Sequence, residues 1–149
     1  MSKPLLLKPE ILQSWRRDLD ADFAIGPEAA FQLDEMLRAL DWKKLLPFEF
    51  PLNDYALITK SFVHKTLKDD YQVSSGQLKD RVVQNLSFLA LHTLKSAGDY
   101  VTSLNHSRIM PEHIDMIWTM ISVIINNAEW KGWEIKPKSK KRAKIEVVQ

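Results

Sequence analysis

One unbroken helical pattern, from Gln77 to Leu104, constrains this chain more than any other feature. Leu78, Val82, Leu86, Leu89, Thr93, Ala97, Tyr100 and Leu104 recur at helical spacing and share one face. At 1.5 Å per residue, 28 residues make a rod of about 42 Å. Gly98 lies inside it, which costs about 1 kcal/mol against alanine and permits close packing. Two short neighbours cannot hide so long an apolar face, so something else must cover its middle. The simplest cover is a second copy of the chain or a partner of similar shape. Leu86, Leu89, Thr93, Ala97 and Tyr100 are then the expected dimer interface. Helices earlier in the same chain are the other source of cover.

Around this rod the breakers divide the rest of the chain. Lys8-Pro9 opens an amphipathic stretch to about residue 20, with Ile11, Leu12, Trp15 and Leu19 on one side; proline in a first turn sacrifices no hydrogen bond. Gly26-Pro27-Glu28 opens a second helix, expected to reach Leu46. Pro47 and Pro51 bracket Phe48-Glu49-Phe50, which must be extended or turning. Asn53 can cap a third helix to Lys68, with Tyr55, Ile58, Phe62 and Thr66 as its stripe. Ser74 and Gln77 have the spacing of a capping box at the head of the long helix. Pro111 begins the last helix, through Ile114, Ile117, Trp118, Ile121 and Ile125 to about Ala128. No alternation longer than four residues reads as a strand, so the expected fold is all-α. The expected organisation is a helical extension over 1–52, a three-helix unit over 53–130 and a basic tail over 131–149.

Composition narrows the function. With no cysteine among 149 residues, disulfides, thiol catalysis and Cys-ligated zinc are excluded. Four glycines leave no Gly-rich phosphate loop, and no apolar run approaches the ~18 residues of a membrane span. A soluble, intracellular protein is expected, nuclear in a eukaryote and otherwise cytoplasmic or nucleoid-associated. The net charge of +2 conceals an asymmetry. Residues 131–149 hold seven basic and two acidic side chains, or +5; the preceding 130 hold 14 and 17, or −3. A basic end on an acidic body suits a polyanion contact or an address.

The order medium helix, long helix, shorter helix resembles the histone fold. Ser107-Arg108-Ile109-Met110-Pro111-Glu112-His113-Ile114 is similar to that family's second loop running into its last helix, as in transcription-factor members. The resemblance implies a three-helix unit over residues 53–128 that pairs with a like unit, as a homodimer or with a histone-fold partner, and a role on duplex DNA. In this family the first loop of one chain lies beside the second loop of its partner. There are departures. Arg108 stands where the family has a phosphate-facing Thr, and His106 and His113 replace an Arg–Asp pair. Residues 53–128 hold seven basic and seven acidic side chains, a poor spool for a polyanion. Dimerisation therefore carries over better than wrapping. Single-chain double histone folds also exist; one unit with an N-terminal extension is the preferred arrangement here.

The expected nucleic-acid contacts are the tail residues Lys136, Lys138, Lys140, Lys141, Arg142 and Lys144, together with Lys79, Arg81 and Arg108 at the ends of the long helix. The tail equally suits an import address or a solvated end. Trp130 and Trp133 precede it and are expected to pack on the body rather than stack on bases. His106, His113 and Glu112 are too few for a metal site, and no metal, cofactor or small-molecule substrate is expected. The acid groups Asp18/Asp20/Asp22, Asp34-Glu35 and Asp69-Asp70 fall at expected polar faces or loops, so no catalysis is expected. A helical adaptor without a nucleic-acid role is the alternative. A weaker one rests on Leu57–Thr66, which is similar to a helix near the start of ribonuclease III domains. Gln84, Asn85, Leu86 and Ser87 then stand where such enzymes need metal-binding acids, which implies at most a degenerate RNA binder.

Overall fold

Proline, glycine and serine set where the helices begin. In a computed structural model that describes residues 6–51 and 55–126, five α-helices and two very short strands follow in the order α1 (Pro9–Asp18), β1 (Ala24–Ile25), α2 (Pro27–Ala39), α3 (Lys60–Tyr71), α4 (Gly76–Ser103), β2 (Arg108–Ile109) and α5 (Pro111–Asn126). Helices α1, α2 and α5 each start on proline, whose missing N–H would lack an intrahelical partner there anyway. Helix α4 is capped by Ser75, whose hydroxyl accepts from the Leu78 N–H at 3.2 Å, one residue later than the expected Ser74 cap.

Two helices differ from expectation, and tertiary hydrogen bonds explain both. Helix α2 ends at Ala39 instead of Leu46. A 3-10 turn, Trp42–Leu45, follows it, capped by the Asp41 side chain. The Trp42 indole N–H donates to the orphan Leu37 carbonyl at 2.8 Å. The Tyr71 hydroxyl accepts from the Trp42 N–H and donates to the Leu40 carbonyl, tying this corner to the end of α3. Helix α3 begins at Lys60, and Asn53 lies outside the described residues. Leu57–Thr59 is extended because its backbone pairs with the N-terminal segment: Lys8 N–H to Leu57 O at 3.0 Å and Thr59 N–H to Leu6 O at 2.8 Å. That pairing outcompetes helical propensity for Tyr55 and Ile58.

The long helix forms as one piece, and the chain itself covers it. Val82, Leu86, Leu89, Ala90, Thr93, Leu94, Ala97 and Val101 are all buried. Over its first half lie Leu45, Phe48 and Phe50. Over its second half lies Phe23, whose ring occupies the space a side chain at Gly98 would need. Helices α3 and α5 pack against it as well. Of the two sources of cover, the chain's own earlier segments supply it, and the expected dimer interface is corrected: Leu86, Leu89, Thr93 and Ala97 belong to the monomer's own core. Of the five expected interface residues, Tyr100 alone is exposed. One core cluster runs from Leu6 to Ile125, so residues 6–51 belong to the same core as the three helices after them.

The strands were not expected from the sequence. β1 and β2 pair in parallel, Ala24 with Arg108 and Ile25 with Ile109, through bonds including Ala24 N–H to Ser107 O at 2.7 Å. Each strand has two residues, too few for any alternation to register in a sequence. The pairing joins the loop between α1 and α2 to the loop between α4 and α5. Among the described residues, no helix is long and apolar enough to cross a membrane.

Candidate nucleic-acid interface

The three basic residues expected at the ends of the long helix are not brought together within the chain. Lys79 and Arg81 sit in the first turns of α4, whereas Arg108 follows its far end, about 40 Å away at 1.5 Å per residue. Arg81 is half-buried and committed. Its guanidinium donates to the Leu46 carbonyl at 3.1 Å and pairs with Glu49 at 3.0 Å, holding the 46–49 turn against α4. Arg108 is exposed at the β2 edge, 3.7 Å from Glu28, and its guanidinium crowds Gly26. Lys79 is half-buried. Lys136, Lys138, Lys140, Lys141, Arg142 and Lys144 lie outside the described residues, as do Trp130 and Trp133.

The buried polar groups are structural, and the sequence reading missed both of the main ones. Asp34, expected on a polar face, is 2% exposed. Its carboxylate accepts from the Leu6 and Leu7 N–H groups at 2.8 and 2.9 Å and pairs with Arg38 at 2.5 Å. A buried carboxylate persists only with such a complement. The detectable signal was its position beside Leu33 and Leu37 with a cation four residues on. Asn85, fully buried, accepts from the Phe50 N–H at 3.1 Å and donates to the Leu45 and Phe48 carbonyls at 2.7 and 2.9 Å. The Gln84 amide donates to the Phe50 carbonyl. These amides stand where the ribonuclease III-like reading needed acids. They serve instead as hydrogen-bond partners for the turning, irregular backbone of residues 45–50.

A His–Asp pair also forms. His64 Nε2 lies 2.9 Å from Asp80 Oδ1, which is 3.5 Å from the Lys60 amine. It joins α3 to α4 beside a surface cavity of about 470 Å³, lined by Tyr55, Leu57, Ile58, Val83 and Gln84 among others. His113 Nδ1 accepts from the Met110 N–H at 2.9 Å, so it caps α5; the resembling family uses an ion pair in that region. Among the described residues, no group of three or more His, Asp and Glu is placed to hold a metal ion. On α3, the Lys65 hydrogen bond and charge hold the Asp69 carboxyl below its ordinary value, and Asp69 holds the Lys65 amine above its own.

Comparison with known family models, characterised proteins and solved structures finds no match for this chain. Its functional reading therefore rests on the residues and their arrangement.

Proposed function

We propose that this chain is a non-enzymatic, self-paired histone-like module that contacts DNA, or an assembly on DNA, through its basic C-terminal run. The observation that carries the pairing is the parallel bridge between β1 and β2. In the family that the sequence resembles, the first loop of one chain lies beside the second loop of its partner. Here the loop after α1 lies beside the loop after α4 within one chain, and α1–α2 occupies the partner's place. The long helix then finds its cover internally, as the burial of Leu86 and Thr93 requires.

This arrangement moves the phosphate contacts away from the helical body. Arg81 is engaged by Glu49 and Arg108 neighbours Glu28. The first 130 residues sum to −3. Sequence-independent affinity for DNA comes from cations that displace counterions, and six of them lie between Lys136 and Lys144. With about six phosphates neutralised, the logarithm of the binding constant falls with log salt at a slope of about −5. A shift assay on duplex DNA against salt tests this. The intact chain should show that slope, and a chain with all six residues changed to Gln should lose binding. Absence of binding by the intact chain at roughly 50 mM salt removes the DNA reading. Preference for double-stranded RNA over DNA would favour the ribonuclease III-like alternative. A solution mass near 17.3 kDa favours internal pairing, or the adaptor reading, over self-association; about 35 kDa would support a dimer.

A second reading, the helical adaptor without a nucleic-acid role, has its own support. Tyr100, Leu104, Met116 and Met120 are exposed near one another on α4 and α5. Exposed apolar surface of that kind commonly marks a contact with another polypeptide.

A further inference from the structure

The exposed apolar face of α5 has a nearby claimant in the chain's own sequence. On this helix Ile114, Trp118, Ile121 and Ile125 point into the core, while Met116 and Met120 are 40% and 65% exposed one turn apart. The tilted contact of Tyr100 with His113, ring centroids 5.9 Å apart, extends the face onto the end of α4, where Leu104 is also exposed. The face is acidic at its margin. Helix α5 carries Glu112 and Asp115 and no Lys or Arg; Asp115 already accepts from the Gln32 amide at 2.6 Å, and Asp99, beside Tyr100, is paired with Lys95 at 2.9 Å, so Glu112 and Asp115 supply the margin's net charge. Its complement is a cationic segment with apolar anchors. That is the composition of Trp130-Lys131-Gly132-Trp133-Glu134-Ile135-Lys136, followed by the basic run to Lys144.

We propose that this face takes the segment 130–144 of the same chain, with Trp130 and Trp133 against Met116 and Met120 and the basic run beside the acidic body. Reach permits it. Trp133 is seven residues beyond Asn126, and seven residues span up to about 25 Å. Met120 and Met116 lie only about 9 and 15 Å back along α5 from Asn126. Methionine sulfur makes favourable contacts with aromatic rings, and its unbranched side chain adapts to an incoming surface. A short tether raises the local concentration to the order of millimolar, so a weak contact suffices. The charge asymmetry between body and tail acts in the same direction. A segment held this way competes with any polyanion for its own basic residues. The proposal itself needs no nucleic acid.

The absence of native cysteine makes a clean test. The full chain is prepared as two double variants, Met116→Cys with Gly132→Cys and, as reference, Lys65→Cys with Gly132→Cys; Lys65 is exposed on α3. Both leave Met120, Trp130 and Trp133 intact. Under mild oxidation at low protein concentration, the first pair should close an intramolecular disulfide at least tenfold faster than the second. Adding Trp130→Ala and Trp133→Ala should bring its rate down to the reference. Equal rates in the two pairs, or no effect of the alanines, overturn the proposal. Disulfides found only between chains would assign the face to a second copy, which overturns it too. Circular dichroism of each variant verifies folding. Because the assay contains no DNA, its failure and that of the DNA reading are separate results.

Discussion

Alanine at Gly98 tests the account of how the chain covers its own long helix. A Cβ placed there would collide with Cε2, Cζ and Cδ2 of Phe23, well inside the ordinary contact distance that begins near 3.4 Å. The ring must therefore retreat by about 1 Å. It has little room, being 5% exposed and in contact with Trp15, ring centroids 6.4 Å apart. Overpacking of this kind costs about 1–3 kcal/mol. Against it stands the gain from replacing glycine in a helix interior, about 1 kcal/mol. With the ring this confined, the clash lies in the upper part of its range, about 2–3 kcal/mol, and we expect Gly98→Ala to destabilise by about 1–2 kcal/mol. For a chain of this size that lowers the melting temperature by about 2–8 °C. Denaturation followed at 222 nm supplies the number. Phe23→Leu supplies the control, because shortening the ring removes the obstruction. In that background Gly98→Ala should cost much less or turn stabilising, a coupling of about 1–2 kcal/mol. Gly76→Ala, with nothing within 4 Å of its Cβ, should be neutral or stabilising. If Gly98→Ala stabilises the wild-type chain by the full helix-propensity gain, Phe23 does not sit on α4 and the intramolecular cover is wrong.

Other outcomes follow from the buried polar groups and the surface pair. Asn85→Ala removes the amide's three buried bonds, to the Phe50 N–H and to the Leu45 and Phe48 carbonyls, and should cost about 2–4 kcal/mol in urea unfolding; a loss below about 0.5 kcal/mol would mean that water replaces them. Asp34→Ala leaves the Leu6 and Leu7 N–H groups unbonded, so it should cost about 2–3 kcal/mol and raise the hydrogen-exchange rate of those two amides before any others. The Asp69 carboxyl should titrate below its ordinary value of 3.8 and return towards it in Lys65→Met, as read by NMR. Because that value is lowered on folding, whatever the pair contributes is present above the ordinary carboxylate range and is lost as pH falls through the lowered one. High salt should shrink the shift, since both groups face water.

Periodicity and breakers were enough to place the helices. The long rod differs by one residue at each end, and α1 and α5 begin on their prolines as read. These signals are local: spacing along one segment, an imino acid without an N–H, a hydroxyl beside a helix start. The same signals overran α2 and started α3 too early, because each helix loses residues to a partner remote in sequence. Trp42 with Tyr71, and Leu57 with Lys8, are pairings that no window of adjacent residues contains.

What the sequence alone determined was a predominantly helical chain without cysteine chemistry, with a 28-residue rod at its centre and an opposition of charge between body and tail. What tertiary structure decided was who covers the rod. An apolar stripe shows that surface must be buried, but it has no term for whose side chains do the burying. Phe23, Phe48 and the amide of Asn85 settle that question through contacts spanning about 35–75 residues. The same contacts turned Leu86 and Thr93 from an expected interface into core and left Tyr100 outside, because burial is a property of the packed whole and not of the stripe.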